Sequence, residues 1–330
     1  MTGPIASRYH VSTMLAPLPF AAPARFHLQE NDEYVKYGHP PFATPGRGDP
    51  YWTPEIITQT WFMAEKGKIP ISGAGYGGPF AGPGFDAIWL DMSEIVRPTR
   101  DGIHGREYIS TSVDVGRKPA ALVFDDSGNV AEPPALVELP IPIVFNPFPF
   151  PVERRAPILS IAKAAAALRT LATVTPAQWS DDLIPYAEAI APRLRVDELD
   201  AHRAMWTAAR YVELEDEAAV PGTDLLSKTV PGTAVIGWRV PLEGDVESRV
   251  LDLVAAGAEV IHLYADEYGN SSRGFIADTL RSVHRALVET GIRDEVTLLA
   301  SGGIATAEHV PKAIVCGADL VAIDYKLLLA

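Results

Sequence analysis

The residues best suited to chemistry lie late in the chain, in Leu298-Leu299-Ala300-Ser301-Gly302-Gly303. A glycine pair that leaves a strand and opens a helix turns backbone N–H groups toward an anion, usually a phosphate. An earlier loop, Ile69-Pro70-Ile71-Ser72-Gly73-Ala74-Gly75-Tyr76-Gly77-Gly78, has the same character. A plain tight turn is the competing reading of both. The segment from Arg97 to Glu107 sets Arg97, Arg100 and Arg106 around His104, a density suited to an anion-binding or substrate-gating loop, or to a solvated, salt-bridged one. His104 is the proton-transfer candidate there, because imidazole titrates near neutrality. Glu213, Glu215, Asp216, Asp266 and Glu267 fall near the ends of predicted strands and would gather at one mouth, where carboxylates also suit a divalent metal ion. His262 falls mid-strand and reads as buried and hydrogen-bonded. His284 and His309 fall on helices and read as exposed, and Cys316 reads as a packed thiol.

These groups need a frame. Strands are predicted at 69–72, 141–145, 171–175, 210–215, 234–240, 259–264, 296–300 and 319–323, eight in all. Helices are predicted at 156–170, from Pro176 to Pro185 or Pro192, and at 245–256, 275–290 and 306–316. Val246, Val250, Leu253 and Val254 form one core-facing stripe, and Ile276, Leu280, Val283 and Leu287 another. Gly257, Gly291 and Gly317 stand where left-handed helix caps are wanted. Gly257-Ala258-Glu259-Val260-Ile261 and Gly317-Ala318-Asp319-Leu320-Val321 repeat one βα unit. Eight such strands predict an α/β fold, a (β/α)8 TIM barrel spanning 67–330 with its chemistry at the C-terminal strand ends.

Residues 1–66 read as an irregular N-terminal arm, because Pro17, Pro19, Pro23, Pro40, Pro41, Pro45, Pro50 and Pro54 interrupt every long element. One short helix is expected at 54–66. The aromatics, Tyr51, Trp52, Trp61 and Phe62 among them, are too numerous for a disordered tail and call for a surface to pack on, the main domain or a partner subunit.

A net charge of -14 argues against an extended nucleic-acid or anionic-membrane surface. The single cysteine leaves no disulfide framework, iron–sulfur cluster or zinc–thiolate site within this chain, and points to a cytoplasmic setting. No run nears the roughly 18 apolar residues of a membrane helix, and the start lacks a secretory pattern.

The stretch from Arg281 to Ile304, which includes Gly291-Ile292-Arg293-Asp294-Glu295-Val296-Thr297-Leu298 and Ala300-Ser301-Gly302-Gly303, resembles the FMN-binding, glutamate synthase-like α/β barrels. That family carries "LxxxGLRDxVTL", then "RADGG", then "GADEFGFGT", and here the last is matched by Gly317-Ala318-Asp319-Leu320-Val321-Ala322-Ile323-Asp324-Tyr325. The resemblance follows the family's order over roughly the last 190 residues and earlier only at 71–77. It implies a TIM barrel of the FMN-dependent oxidoreductase type, acting on a C–N or C=N substrate of the amino or imino acid kind, with a redox partner subunit or oligomer compatible. Arg239 falls where the family has a strand lysine beside the flavin pyrimidine edge, so a catalytic and cofactor role is carried to it. Asp216 falls in the "AQGAKPG" place, and Ser72, Gly73, Ala74 and Gly75 in that of the flavin loop. Ser301, Gly302 and Gly303 would hold the flavin phosphate, with Lys326 offsetting Asp324, which replaces a glycine. Asp266-Glu267-Tyr268-Gly269-Asn270-Ser271-Ser272-Arg273 replaces a Gly-Gly-Thr-Gly turn. Those departures favour the alternative, a flavin-free barrel serving as a binding or assembly subunit. The family's cysteine cluster lies just beyond the place of Leu327-Leu328-Leu329-Ala330, inside the expected final barrel helix, so either the barrel closes with a stub helix or the chain is a fragment, which the apolar ending favours.

Overall fold

Apolar segments of three to seven residues alternate with helices through the second half of the chain, and in the computed structural model they close into a ring. The structure describes residues 48–67, 82–89, 111–119, 121–131, 135–148, 155–215 and 234–330. Two compact units divide the chain, one of residues 1–88 with 325–330 and one of residues 89–324.

In the larger unit, β1 (Val113–Val115) and β2 (Val137–Leu139) form an antiparallel hairpin. The closed barrel is built from β3 (Ile143–Phe145), β4 (Ala172–Val174), β5 (Ile190–Arg195), β6 (Tyr211–Glu215), β7 (Val235–Pro241) and β8 (Val260–Tyr264). A two-residue ribbon of β9 (Asn270–Ser271) and β10 (Gly274–Phe275) interrupts the series, and β11 (Thr297–Ser301) and β12 (Leu320–Ile323) complete the ring. Every barrel pair is parallel, and β12 returns to β3, with Ala322 opposite Val144.

Seven of the eight predicted strands are in place, as β3, β4, β6, β7, β8, β11 and β12. Segment 69–72 lies outside the described residues, and the ring is closed by eight other strands. The member that sequence reasoning missed is β5, whose first residues fall within the longer of the two extents given to the helix that starts at Pro176. Pro185 interrupts that segment, which forms 3-10 turns over Asp181–Ala189 before Ile190 enters the sheet. The sequence of β5, Ile-Ala-Pro-Arg-Leu-Arg, hides a strand because it carries a proline and two arginines; Pro192 sits opposite Val174, and Arg193 finds a carboxylate inside the barrel.

The helices follow their stripes. In the smaller unit α1 (Pro54–Lys66) starts on Thr53, whose side chain accepts from the Ile56 amide, with Pro54 in the first turn, and it ends at the left-handed Gly67. Around the barrel run α2 (Arg155–Leu168), the single turn α3 (Arg203–Trp206), α4 (Val246–Ala255), α5 (Ile276–Thr290) and α6 (His309–Val315). Asp245 caps α4 by accepting from Ser248 N at 3.0 Å, and the predicted apolar stripes of α4 and α5 are buried. In the smaller unit α7 (Tyr325–Leu329) packs against α1, with the Tyr325 ring 4.7 Å from that of Trp52.

The lower half of the lumen is apolar. Val144, Leu171, Ala191, Tyr211, Val235, Val260, Leu299, Leu320 and Ala322 form one cluster with Val115, Val137 and Leu139 of the hairpin, which closes the N-terminal end of the barrel. Thr297 ties the hairpin down, its Oγ1 accepting from Gly116 N at 3.1 Å and donating to Gly116 O at 2.9 Å.

Candidate functional site at the barrel mouth

Above that apolar floor the lumen changes character. Side chains on a strand alternate between lumen and helix layer. On β6 the residue two along from Tyr211 is therefore Glu213, on β8 two along from Val260 is His262, and on β11 two along from Leu299 is Ser301. These join Asn146, just past β3, and Arg193 of β5 in one buried chain. Asn146 Nδ2 donates to Asp324 Oδ2 at 3.4 Å, and Arg193 Nη2 donates to Asn146 Oδ1. Arg193 Nε donates to Glu213 Oε1 at 2.5 Å. Glu213 Oε2 lies 2.6 Å from His262 Nδ1, and His262 Nε2 lies 2.8 Å from Ser301 Oγ. Asn146 reaches past β4 to Arg193, and Glu213 past β7 to His262, so the chain crosses the lumen. All five residues from Asn146 to Ser301 are buried, Glu213 and His262 at 0% exposure.

Burial alone would neutralise Glu213, but the charge of Arg193, with the hydrogen bond from the His262 ring, holds its carboxyl well below the usual carboxylate range. His262 moves the other way: burial lowers its pKa, the attraction of Glu213 opposes this, and the cations Arg193 and Arg239 add to the lowering. The ring is therefore neutral at pH 7. Facing an ionised carboxylate, Nδ1 carries its hydrogen.

One strand step nearer the mouth, Arg239 Nη1 bonds Glu215 Oε1 at 3.1 Å, and its guanidinium carbon lies 3.4 Å from the Tyr264 ring centroid. Its Nε is buried and has no hydrogen-bond partner among the described residues. A buried donor left unpaired in this way is an opening for an acceptor supplied by a ligand.

Ser301-Gly302-Gly303 ends β11, as expected, but α6 begins only at His309, six residues after Gly303, and has seven residues. The glycines therefore do not open a helix as the sequence suggested. Gly302 has φ +112°, and a Cβ there would lie 2.7 Å from Asp266 O and 2.9 Å from Ala265 Cβ. Gly303 has φ +70°. His309, expected on the surface, is buried, its Nδ1 accepting from Ala305 N at 3.1 Å to hold the loop between. Cys316 is buried as expected.

Lys326 lies on α7, in the smaller unit, where burial lowers its pKa to about 8. His104, Ser72, Gly73, Ala74, Gly75 and Asp216 lie outside the described residues. The loop that follows the first barrel strand in the structure begins at Asn146, not at Gly73.

The acids do not converge on a metal. Glu213 and Glu215 face arginines, and Asp266 Oδ1 accepts from Tyr268 N at 2.9 Å and Asn270 N at 2.7 Å, closing its own turn. Among the described residues no group of three His, Cys, Asp or Glu side chains is placed to hold a metal ion. No helix among them is long and apolar enough to cross a membrane.

Sequence reasoning missed Asn146 and Arg193 and left His262 without a role. The available signal was a polar residue at period two within or just after an apolar strand, as in Val212-Glu213-Leu214 and Ile261-His262-Leu263.

A closed parallel barrel with a polar layer beneath its C-terminal mouth is a (β/α)8 barrel. Residues 275–330 match the conserved region in glutamate synthase. Archaeal-type glutamate synthase [NADPH] of Dehalococcoides mccartyi is 25% identical over 84% of this chain and 66% of its own length. That of Thermotoga neapolitana is 23% identical over 85% and 66%. The chain is therefore similar to glutamate synthases, at low identity along most of its length and through a family match confined to its last 56 residues. It spans just under two thirds of the length of these relatives. Among solved structures, the flavin-binding domain of baker's yeast flavocytochrome b2 is similar at TM-score 0.48 and 12% identity, over 66% of this chain and 62% of that one. A mandelate oxidase variant with benzaldehyde is similar at TM-score 0.45 and 14% identity, over 66% and 74%.

Proposed function

We propose that the barrel is an FMN-dependent oxidoreductase domain, acting on a C–N or C=N substrate of the amino or imino acid type and working with a redox partner subunit. The observation that carries this reading is Arg239, a cation on the strand position of the family's lysine, whose buried Nε has no acceptor among the described residues. The flavin, when bound, supplies two-electron chemistry. Arg239 would hold its pyrimidine edge and favour negative charge there, while the backbone at Gly302 and Gly303 would take the phosphate. Tyr264 and Glu215 fix the guanidinium, so the contact is prepared before the ligand arrives. His104 is the residue proposed to move a proton at the substrate. Titration of the purified chain with FMN, followed by fluorescence quenching, tests the reading. Saturable binding supports it, and absence of binding by folded protein rejects it. Gly303→Val should weaken FMN at least ~10-fold, about 1.4 kcal/mol, with the fold checked by circular dichroism.

A second reading has its own observation. The Asp324 carboxylate is drawn into the lumen chain by Asn146, where the family has a glycine, and a fixed carboxylate beside a phosphate is unfavourable. A flavin-free barrel acting as a binding or assembly subunit would tolerate that charge. Asp324→Gly separates the two: FMN affinity gained only in this variant favours the second.

A further inference from the structure

The buried chain has a direction. Arg193 can only donate, so Glu213 accepts from it; the second Glu213 oxygen faces His262 Nδ1 at 2.6 Å and accepts there too. With its hydrogen on Nδ1, the neutral ring has a bare lone pair at Nε2, and Ser301 Oγ, 2.8 Å away, must donate its one hydrogen to it. We infer that Ser301 presents only lone pairs to the barrel mouth, so that a ligand atom meeting its Oγ must bring a hydrogen, a hydroxyl or an N–H, and an unprotonated phosphate oxygen is refused. His262 is the positioning residue that imposes this, and Glu213 with Arg193 holds His262 in the one tautomer that does so.

The opposite assignment fails on geometry. A hydrogen on Nε2 would free the Ser301 proton for a phosphate, but it would leave the Nδ1 lone pair 2.6 Å from a carboxylate oxygen, two acceptors facing each other in a buried site. A doubly protonated ring would have to be carried among Arg193 and Arg239 without water. A phosphate at this turn is therefore held by backbone amides without help from the serine hydroxyl, which narrows the reading above and rests on it only for the choice of FMN as probe.

Two measurements decide. Nitrogen-15 NMR of the histidine rings in the full chain near neutral pH, with His262 assigned by His262→Gln, should show Nδ1 protonated and Nε2 bare; Nε2 protonated overturns the inference. Ser301→Ala should bind FMN at least as tightly as the parent, with riboflavin, which lacks the phosphate, as the reference. A loss of ~10-fold or more for FMN alone would show that the hydroxyl donates to phosphate and would also overturn it. If folded parent protein binds neither flavin, the flavin reading falls, and the NMR result alone then decides the state of Ser301.

Discussion

Arg193 and Glu213 stand opposite each other on neighbouring strands with Nε 2.5 Å from Oε1, both shut away from water. A buried pair of this kind gives little net stability over an apolar one, yet losing one member strands the other. Arg193→Met should destabilise the chain by about 3–5 kcal/mol, read from chemical denaturation. Arg193→Met combined with Glu213→Leu should recover part of that loss; no recovery would mean the two charges are not coupled.

Acidification should unfold the protein by the same network. The pKa of Glu213 is depressed in the fold, so its contribution is complete above its unfolded value of about 4.3 and is lost as pH falls through the folded value. His262 is also depressed; the unfolded ring takes up protons below about pH 6.5 before the folded one, so stability declines from there downward. Both slopes have one sign. Denaturation midpoints should fall steadily below about pH 6.5, and His262→Gln should flatten the upper part of that slope.

Arg239→Ala should weaken FMN and riboflavin by equal factors, about 10-fold or more, because the proposed contact is to the ring and not to the phosphate. Arg239→Lys should keep most of the affinity. A loss confined to FMN would move Arg239 to the phosphate end.

Gly237→Ala should cost about 2–3 kcal/mol, since its Cβ would lie 2.0 Å from Tyr211 Oη in the packed lumen. Tyr211→Leu, which removes the ring, should restore much of it in the double variant. Thermal unfolding of the four proteins checks this.

How much could be read beforehand differed along the chain. From Gly257 to Ile323 the periodicity was clean, because each strand is short and apolar and each helix shows one stripe, as in Ile276, Leu280, Val283 and Leu287. Reading failed where a side chain's partner is remote in sequence. Arg193 makes β5 look unlike a strand until Glu213 is seen twenty residues on, and Asn146 is an ordinary loop residue until Arg193 meets it. The strand read at 69–72 lies outside the described residues, and the barrel strand that leads into Asn146 has no glycine to mark the turn after it. Ser301-Gly302-Gly303 follows the predicted strand, and Gly302 answers to the close approach of Ala265 and Asp266.

The hairpin of Val113–Val115 and Val137–Leu139 seals the N-terminal end of a lumen already filled by side chains, which leaves the C-terminal rim as the approach. Whatever enters through the C-terminal rim must depart by the same opening.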